Sequence, residues 1–150
     1  MSAFEHWVKT SFGFLESDAG FTRMPFREKL VGESVEYVKW PLLIFIGWYK
    51  GEIDVNFHID IGYTENHPVF RPNLPRTFPL HQVVLRQDKD AYASWPGKGG
   101  ALTSVHEVQT VLRESARIMQ EYCAHLLQGD LGLLEQLVGD RTKRSRQYAL

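Results

Sequence analysis

Four residues in the middle of the chain, His58, Asp60, His67 and His81, are the first to weigh for chemistry. His58 and Asp60 fall two apart on an alternating stretch, with Asp54 and Asn56 earlier on the same side. Side chains two apart on a strand stand about 6.5–7 Å from each other, near enough for two ligands of one ion. His67 and His81, in the loops that follow, could complete such a site. The same alternation equally describes the solvated face of a half-exposed strand. The chain has no HExxH pattern and no cysteine pair. The residues therefore point to no metal and no cofactor.

Other chemistry finds even less to work with. A nucleophile needs an activating base beside it. Cys123 instead lies in an apolar helical stripe, the place of a buried structural thiol, and no serine stands in a GxSxG context. Gly97-Lys98-Gly99-Gly100 resembles a phosphate cradle only in outline. A P-loop would have glycine where Tyr92 stands and Ser or Thr where Gly99 stands, so a linker is expected there. Glu16, Asp18, Glu28 and Glu33 are scattered, with nothing to pair two of them as acid and base. Arg71 and Arg76 read as solvated loop charges. No catalytic residue is assigned.

What positions these side chains is legible. Ile53, Val55, Phe57, Ile59 and Ile61 alternate with Glu52, Asp54, Asn56, His58 and Asp60, the period of a strand with one wet face. Lys50-Gly51 before it is a turn signal, and Leu42 to Tyr49 before that is an apolar run. A two-residue loop pairs Tyr49 with Glu52 and Trp48 with Ile53. Ile44, Ile46 and Trp48 then join Ile53, Val55 and Phe57 on the core side. Leu43, Phe45, Gly47 and Tyr49 fall beside Glu52, Asp54, Asn56 and His58 on the other. A three-residue loop would reverse the assignment for Leu42 to Tyr49; the two-residue form is preferred.

The rest of the chain frames that hairpin. Ser2 to Leu15 predicts an amphipathic helix, with Phe4, Trp7, Val8, Phe12 and Leu15 inward and Glu5, His6, Lys9 and Thr10 outward. Ser2 and Glu5 form a possible capping box, and Gly13 ends or kinks the helix. Phe21 to Phe26 reads as an irregular strand whose Pro25 suits only an edge, and Ser34 to Trp40 as a regular one. The proline- and glycine-rich residues 62–102 predict long loops, in which Leu80 to Arg86 is a short helix or a last strand. Residues 88–100 are expected to be mobile. Thr103 to Gln128 reads as one helix of about 24 residues, about 36 Å long. Ser104 and Glu107 start it, its stripe runs from Val105 through Ser115 to Leu126, and Gly129 supplies a left-handed cap. Asp130 then caps a short helix, Leu131 to Val138. The implied fold is α+β over residues 1–150: an N-terminal helix, a small antiparallel meander, a long helix packed on one sheet face, then a short helix.

Composition narrows the class. At 150 residues the chain suits one domain, and 43% apolar residues suit a packed core. The 17 basic residues nearly balance 18 acidic ones, which is not the dense cationic field of a general nucleic-acid binder. Arg141, Lys143, Arg144 and Arg146 crowd the last ten residues, where no acid occurs. That 141–150 tail offers at most a weak phosphate contact and otherwise reads as a solvated end. A single cysteine implies a reducing compartment. No secretory signal is visible, and Leu42 to Tyr49 is too short to span a bilayer, so a cytoplasmic protein is expected.

The greasy row beside the acidic row needs cover. The 62–102 loop, a second copy of the chain in a homodimer, or a different protein could supply it. Ser34-Val35-Glu36-Tyr37, Gly51-Glu52-Ile53-Asp54-Val55 and Tyr122 to Asp130, with its Leu127-Gln128-Gly129-Asp130 ending, resemble a loose group of small bacterial proteins. That group is of unknown function, and some members are similar to toxin-immunity proteins. The resemblance implies the same order of helix, meander and long helix, and carries no catalytic residue. It fits a non-enzymatic binding protein, immunity-like, that presents Phe45, Tyr49, Glu52, Asp54 and His58 to a basic protein partner. The alternative is a small enzyme with a pocket between the sheet and the 62–81 loop, where His58, His67 or His81 would converge with a carboxylate.

Overall fold

The computed structural model describes residues 2–29, 32–71, 76–91, 95–96, 101–102 and 104–148, with the backbone alone for 27–29 and 145–148. In chain order the elements are α1 (Ala3–Phe12), α2 (Phe14–Ser17), β1 (Thr22–Arg23), β2 (Arg27–Lys29), β3 (Gly32–Lys39), β4 (Leu42–Tyr49) and β5 (Glu52–Ile59). There follow α3 (Ile61–Thr64), β6 (Thr77–Pro79), α4 (Leu80–Gln87), α5 (Val105–Tyr122), α6 (Ala124–Leu127) and α7 (Gly132–Tyr148).

Alternation and turn chemistry build the centre. Lys50 (φ 50°) and Gly51 (φ 79°) both take positive φ, the geometry of a two-residue hairpin turn that matches strand twist. Tyr49 accordingly pairs with Glu52, and Trp48 with Ile53, as the preferred register requires. β3 lies on the other side of β4, paired over its whole length from Gly32↔Tyr49 to Lys39↔Leu42. The antiparallel order is β1-β3-β4-β5-β6, with β2 also on β3. β1 and β2 share that one edge in tandem, interrupted around Pro25, which supplies no amide for a ladder. The irregular strand expected over Phe21 to Phe26 is thus one of two short pieces.

Helices α1 and α5 cover one face of the sheet. Val35, Tyr37, Ile44, Ile46, Val55, Phe57 and Phe78 are buried in one cluster with Phe4, Val8 and Phe12 of α1 and Val108, Leu112, Ala116 and Met119 of α5. Trp48, at the open end of that face, is half-buried against the rings of Phe4 and Trp7. α5 begins as expected, with Ser104 Oγ accepting the Glu107 amide at 3.1 Å. It does not run to Gln128. Cys123 leaves helical geometry (ψ 16°), and α6 continues after the break. Gly129 has φ 104° and closes that second piece.

Several other expectations are corrected. Val105 is exposed rather than part of the buried stripe. Glu5, expected outward, is buried, and its carboxylate meets Arg23 Nη1 at 2.7 Å while Ser2 Oγ accepts the Glu5 amide. Leu80 to Gln87 is a helix, one of the two forms expected there; the correction is the strand β6 just before it, inside what reads as loop. The last helix extends ten residues past Val138, through Tyr148, so the basic segment is helical there. Arg141 is held in place: its guanidinium donates to Gln82 Oε1 (2.8 Å) and the Thr77 carbonyl (3.2 Å) and stacks on Phe78. Of residues 88–100, Asp88 is fixed by the Tyr122 hydroxyl at 2.9 Å, while Gly97 to Gly100 lie outside the described residues.

Candidate functional site: the outer face of the sheet

The register places the sequence-predicted binding residues on one surface. Phe45 pairs with Asn56 and Glu36, Tyr49 with Glu52 and Gly32, Leu43 with His58 and Val38, and Gly47 with Asp54 and Ser34. Cross-strand partners share a face, so Phe45, Tyr49, Glu52, Asp54 and His58 all lie opposite the buried core row. Glu52 and Asp54 are exposed, Tyr49 keeps 40% of its surface in water, and Phe45 and His58 are half-buried. Among the described residues, the hollow on this face is lined by β3, β4 and β5 alone. Described parts of the 62–102 segment reach the border of this face: β6 extends the sheet beyond β5, the Leu102 amide donates to the Gly51 carbonyl at 2.7 Å, and His81, Trp95 and Pro96 share a cavity with Asp54 and Asn56.

One acid and one aromatic were missed by sequence reasoning. Glu36 joins the face as the partner of Phe45, and its alternation with Val35 and Tyr37 was the available signal. Trp40 is 65% exposed at the β3–β4 turn, edge-on to Tyr63 with centroids 5.3 Å apart. Ile61 is exposed as well, and the Asp60 amide binds the Pro41 carbonyl.

His58 sits at the far end of the face. Its ring lies edge-on to Phe45 at 6.1 Å, and Nδ1 is 3.3 Å from the Thr77 hydroxyl. Nε2 is buried with no hydrogen-bond partner among the described residues. Burial drives the imidazole pKa below its usual 6.5, against the opposing pull of Glu36 and with the help of Arg76.

The metal geometry suggested by the strand pattern is not formed. β5 ends at Ile59, and Asp60 instead caps α3 by accepting the Gly62 amide at 2.9 Å. His67 Nδ1 accepts two amides, from Val69 and Phe70, each at 3.0 Å, so that nitrogen has no lone pair to offer. The ring is packed against Tyr63 and Phe70, and Nε2 stands 4.0 Å from Glu135. His81 lies against Trp95 beside a cavity of 130 Å³ that Asp54 also lines. Its pKa too is lowered by burial, with Asp54 opposing. Each histidine thus has its own neighbours. Among the described residues no group of three His, Cys, Asp or Glu could hold a metal ion.

Cys123 is fully buried, and burial pushes its thiol up to about 12. A thiol in that state is a packing group at neutral pH.

No protein-family model, no curated protein and no solved structure matches this chain. Function has to be argued from the surface itself. Among the described residues, no helix is long and apolar enough to cross a membrane.

Proposed function

We propose that this chain is a non-enzymatic protein-binding domain whose outer sheet face captures a basic protein partner, in the manner of an immunity protein. One observation carries the reading. Phe45 stands in register with Glu36 and Tyr49 with Glu52, and Val38, Leu43 and Asp54 share their face, opposite the row that packs on α1 and α5. Aromatic rings in a ring of charge are the make-up of an interface centre and its rim. Carboxylates on that rim favour a cationic surface, and opposed fields speed encounter. The resemblance to small bacterial proteins similar to toxin-immunity proteins agrees with such a role.

The test is affinity capture from the source cell, with partners identified by mass spectrometry and then titrated as purified proteins. The wild type and a charge-matched control, Glu114→Ala with Glu121→Ala on the exposed side of α5, should retain one protein saturably. Glu52→Ala with Asp54→Ala should weaken its capture about tenfold or more, with the thermal midpoint unchanged. Equal affinity for the double variant, or no protein retained saturably by the wild type, rejects the reading.

A further inference from the structure

A second hollow lies between α4 and α7, and helical spacing builds both of its walls. From α4 come Gln82, Leu85 and Arg86, three and four residues apart. From α7 come Leu137, Asp140, Arg141 and Arg144, at the same steps. Its volume is 380 Å³, within the roughly 300–1,000 Å³ of small-molecule sites. Gln82, Arg86 and Arg144 are exposed, so the hollow is open to solvent, while Leu137 is buried.

The charges lining it do not balance. Three guanidiniums face one carboxylate. Asp140 Oδ2 meets Arg86 Nε at 2.9 Å and leaves the terminal nitrogens of Arg86 to donate outward. Asp140 also stands one turn from Arg144, yet Arg144 pairs with no acid among the described residues. Arg141 is fixed without being neutralised, because Gln82 Oε1 and the Thr77 carbonyl carry no charge. Burial first, and then the charge of Arg144, hold its pKa below the ordinary arginine value.

We infer that this groove binds a phosphate monoester, its phosphoryl group held by Arg86 and Arg144 beside the fixed charge of Arg141. The surplus is two positive charges, and such an ester carries about −1.5 to −2 at neutral pH. A carboxylate would answer only one of them. Guanidinium forks also match phosphate oxygens in pairs. Leu85 and Leu137 give the organic part of the ester an apolar wall. The inference is independent of the protein-binding reading and uses no residue of the outer sheet face.

The test titrates the isotopically labelled full chain with phenyl phosphate, inorganic phosphate, benzoate and a thymidine decamer. Phenyl phosphate should move the Leu85, Arg86, Asp140 and Arg141 amides saturably in the millimolar range. Benzoate, with one charge, and inorganic phosphate, without a ring, should each bind at least about fivefold more weakly. Arg144→Gln and Arg86→Gln should each weaken phenyl phosphate about fivefold or more, with the thermal midpoint unchanged. Lys143→Gln, the same change of charge on a residue outside the groove, should leave its affinity as it is. Should Arg86→Gln lower the midpoint, Arg144→Gln alone decides. An equal loss in Lys143→Gln would reduce the effect to net charge and overturn the site. Inorganic phosphate or benzoate binding as tightly as the ester, or shifts at these amides from the decamer alone, would overturn the ligand.

Discussion

Single side chains carry the clearest chemical consequences. Cys123 has no exposed surface and a thiol pushed up to about 12 by burial, so almost no thiolate exists at pH 8. A disulfide reagent should leave the folded chain unmodified over the time in which the urea-unfolded chain reacts completely. Modification at equal rates would place that thiol at the surface. His58 and His81 give a second expectation, in which the sign follows from burial. Both have folded pKa values below the 6.5 of a free imidazole, so the unfolded chain binds protons first as pH falls. Their contribution to stability is complete above pH 6.5 and is lost as pH drops through that value toward the folded ones. Thermal midpoints measured from pH 7.5 to 5 should fall across that window. The slope should flatten in His58→Gln and again in His81→Gln. A slope identical in all three chains would show that neither histidine is linked to folding.

Secondary elements divide by whether their cause is local. The β4–β5 hairpin was legible because its face pattern and its turn both sit within a dozen neighbouring residues. Gly51, at φ 79°, is the residue that permits the turn. Gly51→Ala should therefore cost about 1 kcal/mol in denaturant unfolding, and no loss would mean that the loop can take another form. The start of α5 was legible for the same reason, and Ser104→Ala should cost about 1 kcal/mol by orphaning the Glu107 amide. Elements whose cause lies far away in sequence were not legible. β6 is three residues in a proline-rich segment, and it is a strand only because the β5 edge at Asn56 to His58 is there to pair with it. Glu5 sits on the polar side of its helix by periodicity, yet it is buried because Arg23, eighteen residues away, meets it. α7 extends past Val138 where the composition reads as a solvated tail. Arg141 tied to Gln82 and Thr77, and Arg86 paired with Asp140 at 2.9 Å, anchor its middle on α4 and β6. The binding face was legible as a set of residues, but the seat of the Phe45 ring over Gly47 was not. Which way a ring leans across a strand is set by its neighbours, and no one-dimensional pattern records that.

At the scale of the whole molecule, one sheet faces two solvents. The inner face is covered by α1 and α5, and Phe57 there has no exposed surface. Phe57→Ala should cost about 3–5 kcal/mol, the range for emptying a packed core. Phe45 pairs next door on the other face and is only half-buried, so Phe45→Ala should cost no more than about 1 kcal/mol in the isolated chain. That asymmetry is itself a measurement of what covers the outer face. A second copy seated there would bring Glu36, Glu52 and Asp54 of one chain against the same acids of its mate, a like-charge juxtaposition that opposes association. The isolated chain should therefore sediment as a monomer at low ionic strength, with a thermal midpoint that does not change with protein concentration. A concentration-dependent midpoint that Phe45→Ala abolishes would instead assign the face to self-association and remove the basic partner from its place.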